Sequence, residues 1–236
     1  MTQRRNVVGL YFVFLLFWGN QVMPATADAK TEKGIVMEFI IVRHGQTDWN
    51  VAAKIQGVTD IPLNAEGIAQ AERFAGRYDL TRILAVYSSP LQRALKTAQI
   101  IADKAGVEAI PMAGLEEMNL GIFEGHSWEE VSRLYKAEYE RWEQSDRMDP
   151  IESGEGYRQV ADRAVAAMRR IYEKHRGQEN EKAIMIVTHS ATMKALLCRL
   201  YQIPYSVVTK RYHIHNLTAI SLRVKWEGDA VVCIAE

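Results

Sequence analysis

Three short runs of apolar residues recur at wide intervals along the chain. They are EFIIVRH at 38–44, ILAVYSS at 83–89 and AIMIVTH at 183–189. Consecutive apolar positions, without strict alternation with polar ones, are typical of strands that are buried on both faces of a sheet. Two further strand-like segments lie at about 216–225 and 229–235. The pattern therefore predicts a central sheet that is covered on both sides.

The segments between these runs place apolar residues three and four positions apart, as helices do. The clearest is SSPLQRALKTAQIIADKAG at 88–106, which predicts Ser89 as N-cap and Pro90 at the first helical position. Gln92 would complete a capping box, and Gly106 would end the helix. Strands that alternate with helices predict an α/β fold, a three-layer α/β/α sandwich with a mostly parallel central sheet. Weaker helices are predicted at about 65–77, 127–143, 155–176 and 191–201.

The N-terminus has the layout of a secretory signal. Arg4 and Arg5 precede an uncharged run at 7–18, and Ala25-Thr26-Ala27 provides a cleavage pattern. The run is shorter than the roughly 20 residues that span a bilayer, so no stable membrane span is predicted. We expect residues 1–27 to be a signal peptide, residues 28–236 to be the domain, with its core from about 37, and the protein to be exported. If translation starts at Met37 instead, the protein would be cytoplasmic.

Composition excludes several classes of partner. The 236 residues are 48% hydrophobic and 25% charged, which is typical of a globular domain. Because 29 basic residues balance 29 acidic ones, no overall field draws the chain to nucleic acid or to an anionic membrane. Any anion site must therefore be local. The oligomeric state stays open.

No spacing of cysteine and histidine residues predicts a metal site. His213 and His215 share a face if they lie on a strand, but they have no third ligand nearby and are interpreted as strand residues. Cys198 and Cys233 lie in apolar segments and are interpreted as small buried residues, with a disulfide between them left open.

The candidate chemistry lies where the predicted strands end. Parallel sheets bind ligands beyond the carboxyl ends of their strands, and three ends here deliver Arg43-His44, Arg93 and His189. Converging cations repel each other unless an anion lies between them. A phosphoryl group fits, because an arginine fork holds two of its oxygens and a neutral imidazole can attack phosphorus. The residue types alone do not decide which histidine attacks.

A proton donor for the leaving alcohol is also needed. The segment GLEEMNLGIFEG at 114–125 offers Glu116, Glu117 and Glu124 in a loop-like stretch. The donor must be protonated when the alcohol leaves, which burial or a nearby phosphate charge favours. The attacking histidine must be neutral, and an acceptor must hold its second ring nitrogen.

Five ordered motifs resemble the histidine phosphatase superfamily, the phosphoglycerate-mutase-like group. The first is Arg43-His44-Gly45 followed by Thr47 and Asn50. A single RHG motif would be weak, but the five together cover most of the chain at suitable intervals. The other four are QGVTDIPLNAEG at 56–67, SSPLQRALKTA at 88–98, LEEMNLGIFEG at 115–125 and VTHSATMKALL at 187–197.

The resemblance implies a phosphoglycerate-mutase-like fold and a metal-independent phosphatase without a cofactor. It implies that His44 is the phosphorylated nucleophile, that Arg43 and Arg93 clamp the phosphate, and that His189 stabilises the charge on the phosphoryl group in transfer. Glu117 would protonate the leaving oxygen and then activate water. Asn50 is expected to bind substrate as a further phosphate contact, and Gln56 and Gly57 are expected to line the substrate side.

The substrate would be a small phosphate monoester. The phosphatase branch is favoured, because the interval between Glu117 and His189 is compact and GIFEG resembles the phosphatase version. Three alternatives remain: an alpha-ribazole phosphatase, a phosphoglycerate mutase, and a phospho-ligand-binding module without turnover. Three arginines that could hold a substrate carboxylate are Arg133, Arg141 and Arg147.

Overall fold

The computed structural model describes residues 35–178 and 182–234, so the predicted signal peptide at 1–27 lies outside the described residues. Six strands form one sheet in this part of the chain. The strands are β1 Met37–Arg43, β2 Ile83–Ser88, β3 Ala109–Pro111, β4 Ala183–Thr188, β5 Ala219–Glu227 and β6 Ala230–Ile234. The α-helices are α1 Asp48–Val51, α2 Ala65–Arg77, α3 Gln92–Ala105, α4 Trp128–Leu134, α5 Lys136–Gln144, α6 Tyr157–His175, α7 Ser190–Tyr201 and α8 Tyr205–Arg211.

The strands lie in the order β3-β2-β4-β1-β5-β6. β1 pairs with β4 in parallel, β2 is parallel to both β3 and β4, and only β5 runs against its neighbours. The prediction of a mostly parallel sheet is therefore confirmed. The parallel pairing also brings the carboxyl ends of β1, β2 and β4 to one edge of the sheet.

Both faces of the sheet are buried at β1, β2 and β4, as their continuous apolar runs predict. Successive side chains of a strand point to opposite faces. Phe39 and Ile41 of β1 pack in a core cluster with residues of α6 and α7, while Ile40 and Val42 pack in a second cluster with residues of α3. The result is the predicted three-layer sandwich. A third cluster, centred on Phe123 and Trp142, lies under the segment that follows the acidic motif.

The predicted helix at 127–143 is wrong as one element. Ser127 caps α4 with a full capping box, but Tyr135 leaves helical geometry at φ −122° and ψ 38°, and α5 starts after it. The Tyr135 ring packs against Phe123 and His126, so tertiary contacts accompany the break. The predicted helix at 155–176 is found as α6, and Gly106 ends α3 in the left-handed region at φ 70°, as predicted.

The predicted start of α3 is also wrong. The helix begins at Gln92, and the N-cap position, Leu91, makes no side-chain cap. The N–H of Gln92 instead donates to Oδ1 of Asp60 at 2.8 Å, and Nε2 of Gln92 donates to Oδ2 of the same residue at 3.1 Å. A carboxylate from a distant loop thus satisfies the helix terminus and interacts favourably with its dipole. Oγ of Ser89 accepts from the N–H of Leu91 at 3.2 Å, so Ser89 holds the residue before the helix and not its first turn.

Two smaller interpretations are corrected. His213 and His215 lie between α8 and β5 and not in a strand, because the chain turns there: the N–H of Thr218 donates to the carbonyl of His215 at 3.0 Å. Cys198 and Cys233 are free thiols and only half-buried. Burial raises the pKa of Cys198 to about 11.

Among the described residues, no helix combines the length and the apolar character needed to cross a bilayer. The same part of the chain holds no group of three or more histidine, cysteine, aspartate or glutamate residues arranged to bind a metal ion.

Candidate active site

The sheet brings the predicted cationic residues to one edge. Arg43 ends β1 opposite Thr188 at the end of β4, and the N–H of His44 donates to the carbonyl of Thr188 at 3.0 Å. His189 follows directly, and its ring centroid lies 5.1 Å from that of His44. The two histidines predicted from separate motifs are therefore neighbours.

His44 has the environment of a neutral nucleophile. Its ring is buried, and Nδ1 lies 2.6 Å from the carbonyl oxygen of Gly45. Since a carbonyl only accepts, Nδ1 carries the proton and Nε2 keeps its lone pair. Burial lowers the pKa of His44 well below its usual value, and the charges of Arg43 and Arg93 lower it further.

Gly45 is needed at this position because the backbone of α2 passes close to it. A Cβ atom on Gly45 would lie 2.5 Å from the carbonyl oxygen of Gly67. Only a residue without a side chain fits that approach. The N–H of Gly45 donates to Oγ1 of Thr97 in α3 at 3.1 Å, so contacts with two helices fix the residue after His44.

His189 is fully buried beside His44. Its Nε2 lies 2.8 Å from Oγ of Ser89, and its Nδ1 has no hydrogen-bond partner among the described residues. If Ser89 donates to Nε2, then Nδ1 carries the proton and can donate to a phosphoryl oxygen. Burial lowers the pKa of His189 well below its usual value, and the charges of Arg93 and His44 lower it further.

Arg93 is buried, Arg43 is half-buried, and backbone carbonyls hold both guanidinium groups. Nη1 of Arg43 donates to Ile214 at 2.9 Å, while Nη1 and Nη2 of Arg93 donate to Thr59 at 2.9 Å and to Gly57 at 2.6 Å. Burial lowers the pKa of each guanidinium, whereas the negative charge of Glu117 raises it. Both arginines stay charged, because a guanidinium is not deprotonated in a protein. Nε of each arginine has no partner among the described residues. Each guanidinium thus keeps a buried donor that an anion can accept.

The structure separates the three candidate acids. Glu117 lines the cavity that contains Arg43 and His44. Glu116 instead accepts from the N–H of Gly114 at 2.7 Å. Glu124 holds the backbone N–H groups of 58, 59 and 120, at 2.9, 2.9 and 3.0 Å, and so supports two loops. Only Glu117 is placed for proton transfer at the site.

The carboxylate of Glu117 lies at the start of α7. The N–H groups of Ala191 and Thr192 donate to it at 3.3 and 3.2 Å, and the N–H of Met118 donates at 3.0 Å. The free N–H groups at the start of α7 therefore hold this carboxylate. These donors orient the carboxylate toward the cavity wall that α7 forms.

Arg163 of α6 fixes the backbone on which the acid sits. Its guanidinium donates to the carbonyls of Gly114, Glu116 and Glu117 at 3.0, 2.8 and 2.9 Å. Glu155 pairs with the same guanidinium at 2.8 and 2.9 Å. Arg163 therefore positions Glu117 without reaching the substrate.

The predicted substrate-side residues line the same cavity, which has a volume of about 340 Å³. Gln56 accepts from Oγ1 of Thr47 at 2.9 Å, and Asn50 accepts from the N–H of Thr47 at 3.1 Å as part of the cap of α1. Gly57 has φ +50°, and a Cβ there would lie 1.9 Å from Oε1 of Glu124. These residues shape the site as well as line it.

Two site features carried no clear signal in the sequence. Ser89 resembled a helix cap, and its contact with His189 depends on the pairing of β2 with β4. Arg163 resembled any charged residue of an amphipathic helix. Both contacts join residues that are far apart in the chain. Helical or strand periodicity gives no information about such contacts.

The buried neutral histidines predict a pH dependence of stability. In the unfolded chain a histidine takes up a proton near pH 6.5, whereas His44 and His189 resist protonation in the fold. The native state therefore binds fewer protons below pH 6.5, and the free energy of unfolding falls as pH falls through that value. Imidazole NMR should show both rings neutral at pH 6, and chemical denaturation should show lower stability at pH 5.5 than at 7.5.

His44→Asn provides the control, because it removes one of the groups that resist protonation in the fold. Its stability should depend less steeply on pH than that of the unaltered protein. A His44 ring that titrates near 6.5, or an unchanged slope in the variant, would contradict the proposed environment.

Comparisons with known proteins agree with this geometry. A sequence model described as "Histidine phosphatase superfamily (branch 1)" matches residues 39–236. Phosphoglycerate mutase-like protein 4 of Arabidopsis thaliana is 38% identical over 162 residues, which cover 67% of this chain and 69% of that protein. Metal-independent phosphoserine phosphatase of the same organism is 36% identical over 178 residues, covering 74% and 73%. A solved phosphoserine phosphatase of Entamoeba histolytica in complex with 3-phosphoglyceric acid has a TM-score of 0.70 at 28% identity, covering 84% and 95%.

Proposed function

The chain belongs to the histidine phosphatase superfamily, and from that membership we propose that it hydrolyses small phosphate monoesters through a phosphohistidine at His44. The observation that carries the proposal is the state of His44: a neutral ring, fixed through Nδ1 to Gly45, in a cavity that it shares with Arg43, Arg93 and Glu117. This combination provides a nucleophile, an anion clamp and a proton donor within one site.

In the first step the phosphoryl group binds between Arg43 and Arg93. The lone pair on Nε2 of His44 forms a bond to phosphorus, and the bond from phosphorus to the ester oxygen breaks. Glu117, in its protonated form, gives its proton to the departing oxygen, so that an alcohol leaves. His189 and the arginines stabilise the charge on the equatorial oxygens during transfer.

In the second step water replaces the alcohol. The carboxylate of Glu117 takes a proton from the water as its oxygen attacks phosphorus, and the bond from phosphorus to Nε2 breaks. The electron pair returns to the imidazole, inorganic phosphate leaves, and Glu117 is again protonated. Each residue ends in its starting state, so no metal ion or cofactor is consumed or required by these steps.

Turnover of an ester panel tests the proposal. The panel contains p-nitrophenyl phosphate, phosphoserine, alpha-ribazole phosphate and 3-phosphoglycerate, measured with EDTA and with His44→Asn as control. We expect chelator-resistant phosphate release that the substitution abolishes, with phosphoserine included because two relatives bear that activity in their names. Transfer between the carbons of phosphoglycerate without release would indicate a mutase, and binding without either reaction would indicate a binding module.

We further propose that the protein is exported. The support is the order of basic end, apolar run and Ala25-Thr26-Ala27 in the sequence. N-terminal sequencing of the protein from its native host should find Asp28 first, and a chain that begins at Met37 would contradict export.

A further inference from the structure

The active-site cavity contains further cations besides Arg43 and Arg93. Arg147 and Lys194 line it together with Tyr205, Trp128 and Trp142. None of these residues has a role in the two chemical steps. If the proposed hydrolysis is correct, this region receives the part of the substrate that leaves as the alcohol.

Arg147 is held rigidly and its charge is already balanced. Nη1 donates to the hydroxyl of Tyr205 at 2.8 Å, and the guanidinium pairs with Glu143. The guanidinium carbon also lies 4.5 Å from the ring centroid of Trp142 and 5.2 Å from that of Trp128. Such stacking fixes a planar cation at low cost in side-chain freedom. Arg147 is therefore a fixed wall of the cavity.

Lys194 differs because its charge has no direct partner. It lies on α7 one turn beyond Ser190 and Ala191, on the same cavity-facing side of the helix. Its ammonium forms no hydrogen bond or ion pair with any residue at 35–178 or 182–234, and its nearest ring contact is Tyr205 at 6.0 Å. Burial lowers the pKa of Lys194, whereas the negative charge of Glu117 raises it.

A half-buried ammonium without a partner is costly, and an anion of the substrate would remove that cost. Arg43 and Arg93 balance the charge of the phosphoryl group. Among the cavity-lining residues of the described part, Glu117 is the only acid and Lys54 is the only lysine besides Lys194. Because Lys54 is exposed to solvent, Lys194 is the half-buried ammonium whose charge remains unbalanced.

The geometry points to a carboxylate on the leaving group, bound by Lys194 against the wall formed by Arg147 and Tyr205. A single negative charge matches the single unbalanced ammonium, whereas a second phosphate would exceed it. The volume of about 340 Å³ lies at the small end of ligand pockets, which span roughly 300–1,000 Å³, and suits a phosphorylated acid of a few carbons.

Two esters that differ at one group test the inference. 3-Phosphoglycerate carries a carboxylate where glycerol 3-phosphate carries a hydroxymethyl group. Because hydrogen bonds to charged groups are the strong ones, Lys194→Met should lower kcat/KM for 3-phosphoglycerate by about 10- to 100-fold, mainly through KM. For glycerol 3-phosphate the expected change is less than about threefold, because that ester has no carboxylate for Lys194 to bind.

Lys210→Met is the matched control. Lys210 is exposed on α8, outside this cavity, and the variant makes the same change in net charge. It should leave kcat/KM for both esters unchanged, which separates a local contact from the general field of the protein. Equal losses for both esters in Lys194→Met, no loss for either, or a preference of the unaltered enzyme for glycerol 3-phosphate would overturn the subsite.

Failure of the proposed hydrolysis gives a different result. If the unaltered protein releases no phosphate from p-nitrophenyl phosphate, the proposed function fails, whatever Lys194 does. Calorimetric binding of the same two esters to the unaltered protein and to Lys194→Met then decides the subsite alone. Tighter binding of 3-phosphoglycerate that the substitution removes would support it, and equal binding of both esters would overturn it.

Discussion

Replacement of His44 by asparagine should reduce turnover of every ester by at least about ten-thousandfold, the order seen when the nucleophile of a covalent enzyme is removed. The ring sits between two arginines with Nε2 free, and asparagine fits the space but cannot form the covalent intermediate. Steady-state phosphate release from p-nitrophenyl phosphate measures the loss. Near-native thermal unfolding would show that the variant is folded.

His189→Asn is the matched comparison for that experiment. His189 is equally buried and lies next to His44, but its role in the account is to stabilise charge. Removing one such donor typically costs about 100- to 1,000-fold, so this variant should keep measurable activity. An inactive His189→Asn together with an active His44→Asn would reverse the assignment of the nucleophile.

Glu117→Gln should reduce kcat/KM for phosphoserine by about 100- to 10,000-fold, the usual contribution of a general acid. The amide keeps the shape of the carboxyl group at α7 but cannot donate a proton to a departing alkoxide. p-Nitrophenolate leaves without protonation, so its first release should survive as a rapid burst. The second step, which needs Glu117 to take a proton from water, should then be slow.

The dependence on the leaving group separates chemistry from structure. A merely distorted site would slow both esters equally and give no burst. Glu116→Gln is the control, since Glu116 lies outside the cavity and the amide oxygen of glutamine can still accept from the N–H of Gly114. This variant should stay within about threefold of the unaltered enzyme. A stronger effect at Glu116 than at Glu117 would contradict the choice of acid.

The sequence predicted much of the fold because its signals are local. Continuous apolar runs identified β1, β2 and β4, and parallel pairing then required their ends to meet. That requirement placed His44 beside His189 before any contact was known. Gly106 similarly predicted the end of α3, and the structure has left-handed backbone geometry at that residue, which glycine adopts readily.

Other features depended on contacts between distant segments. Asp60 replaced Ser89 as the cap of α3 because its loop folds across the helix terminus, and Tyr135 divided a predicted helix where it packs on Phe123. Likewise, Lys194 resembled an ordinary polar position of α7 until the cavity was seen. Such residues are identified by their surroundings in the fold, which a single sequence does not report.

The central claim is that His44 carries the phosphoryl group between the two steps. Rapid mixing with p-nitrophenyl phosphate, an alkaline quench that preserves phosphohistidine, and mass spectrometry of the tryptic peptide 44–54 test it directly. The account predicts one added phosphoryl group on His44, formed and lost at rates that match turnover. Turnover without a phosphorylated peptide, or with the phosphoryl group on a different residue, would contradict it.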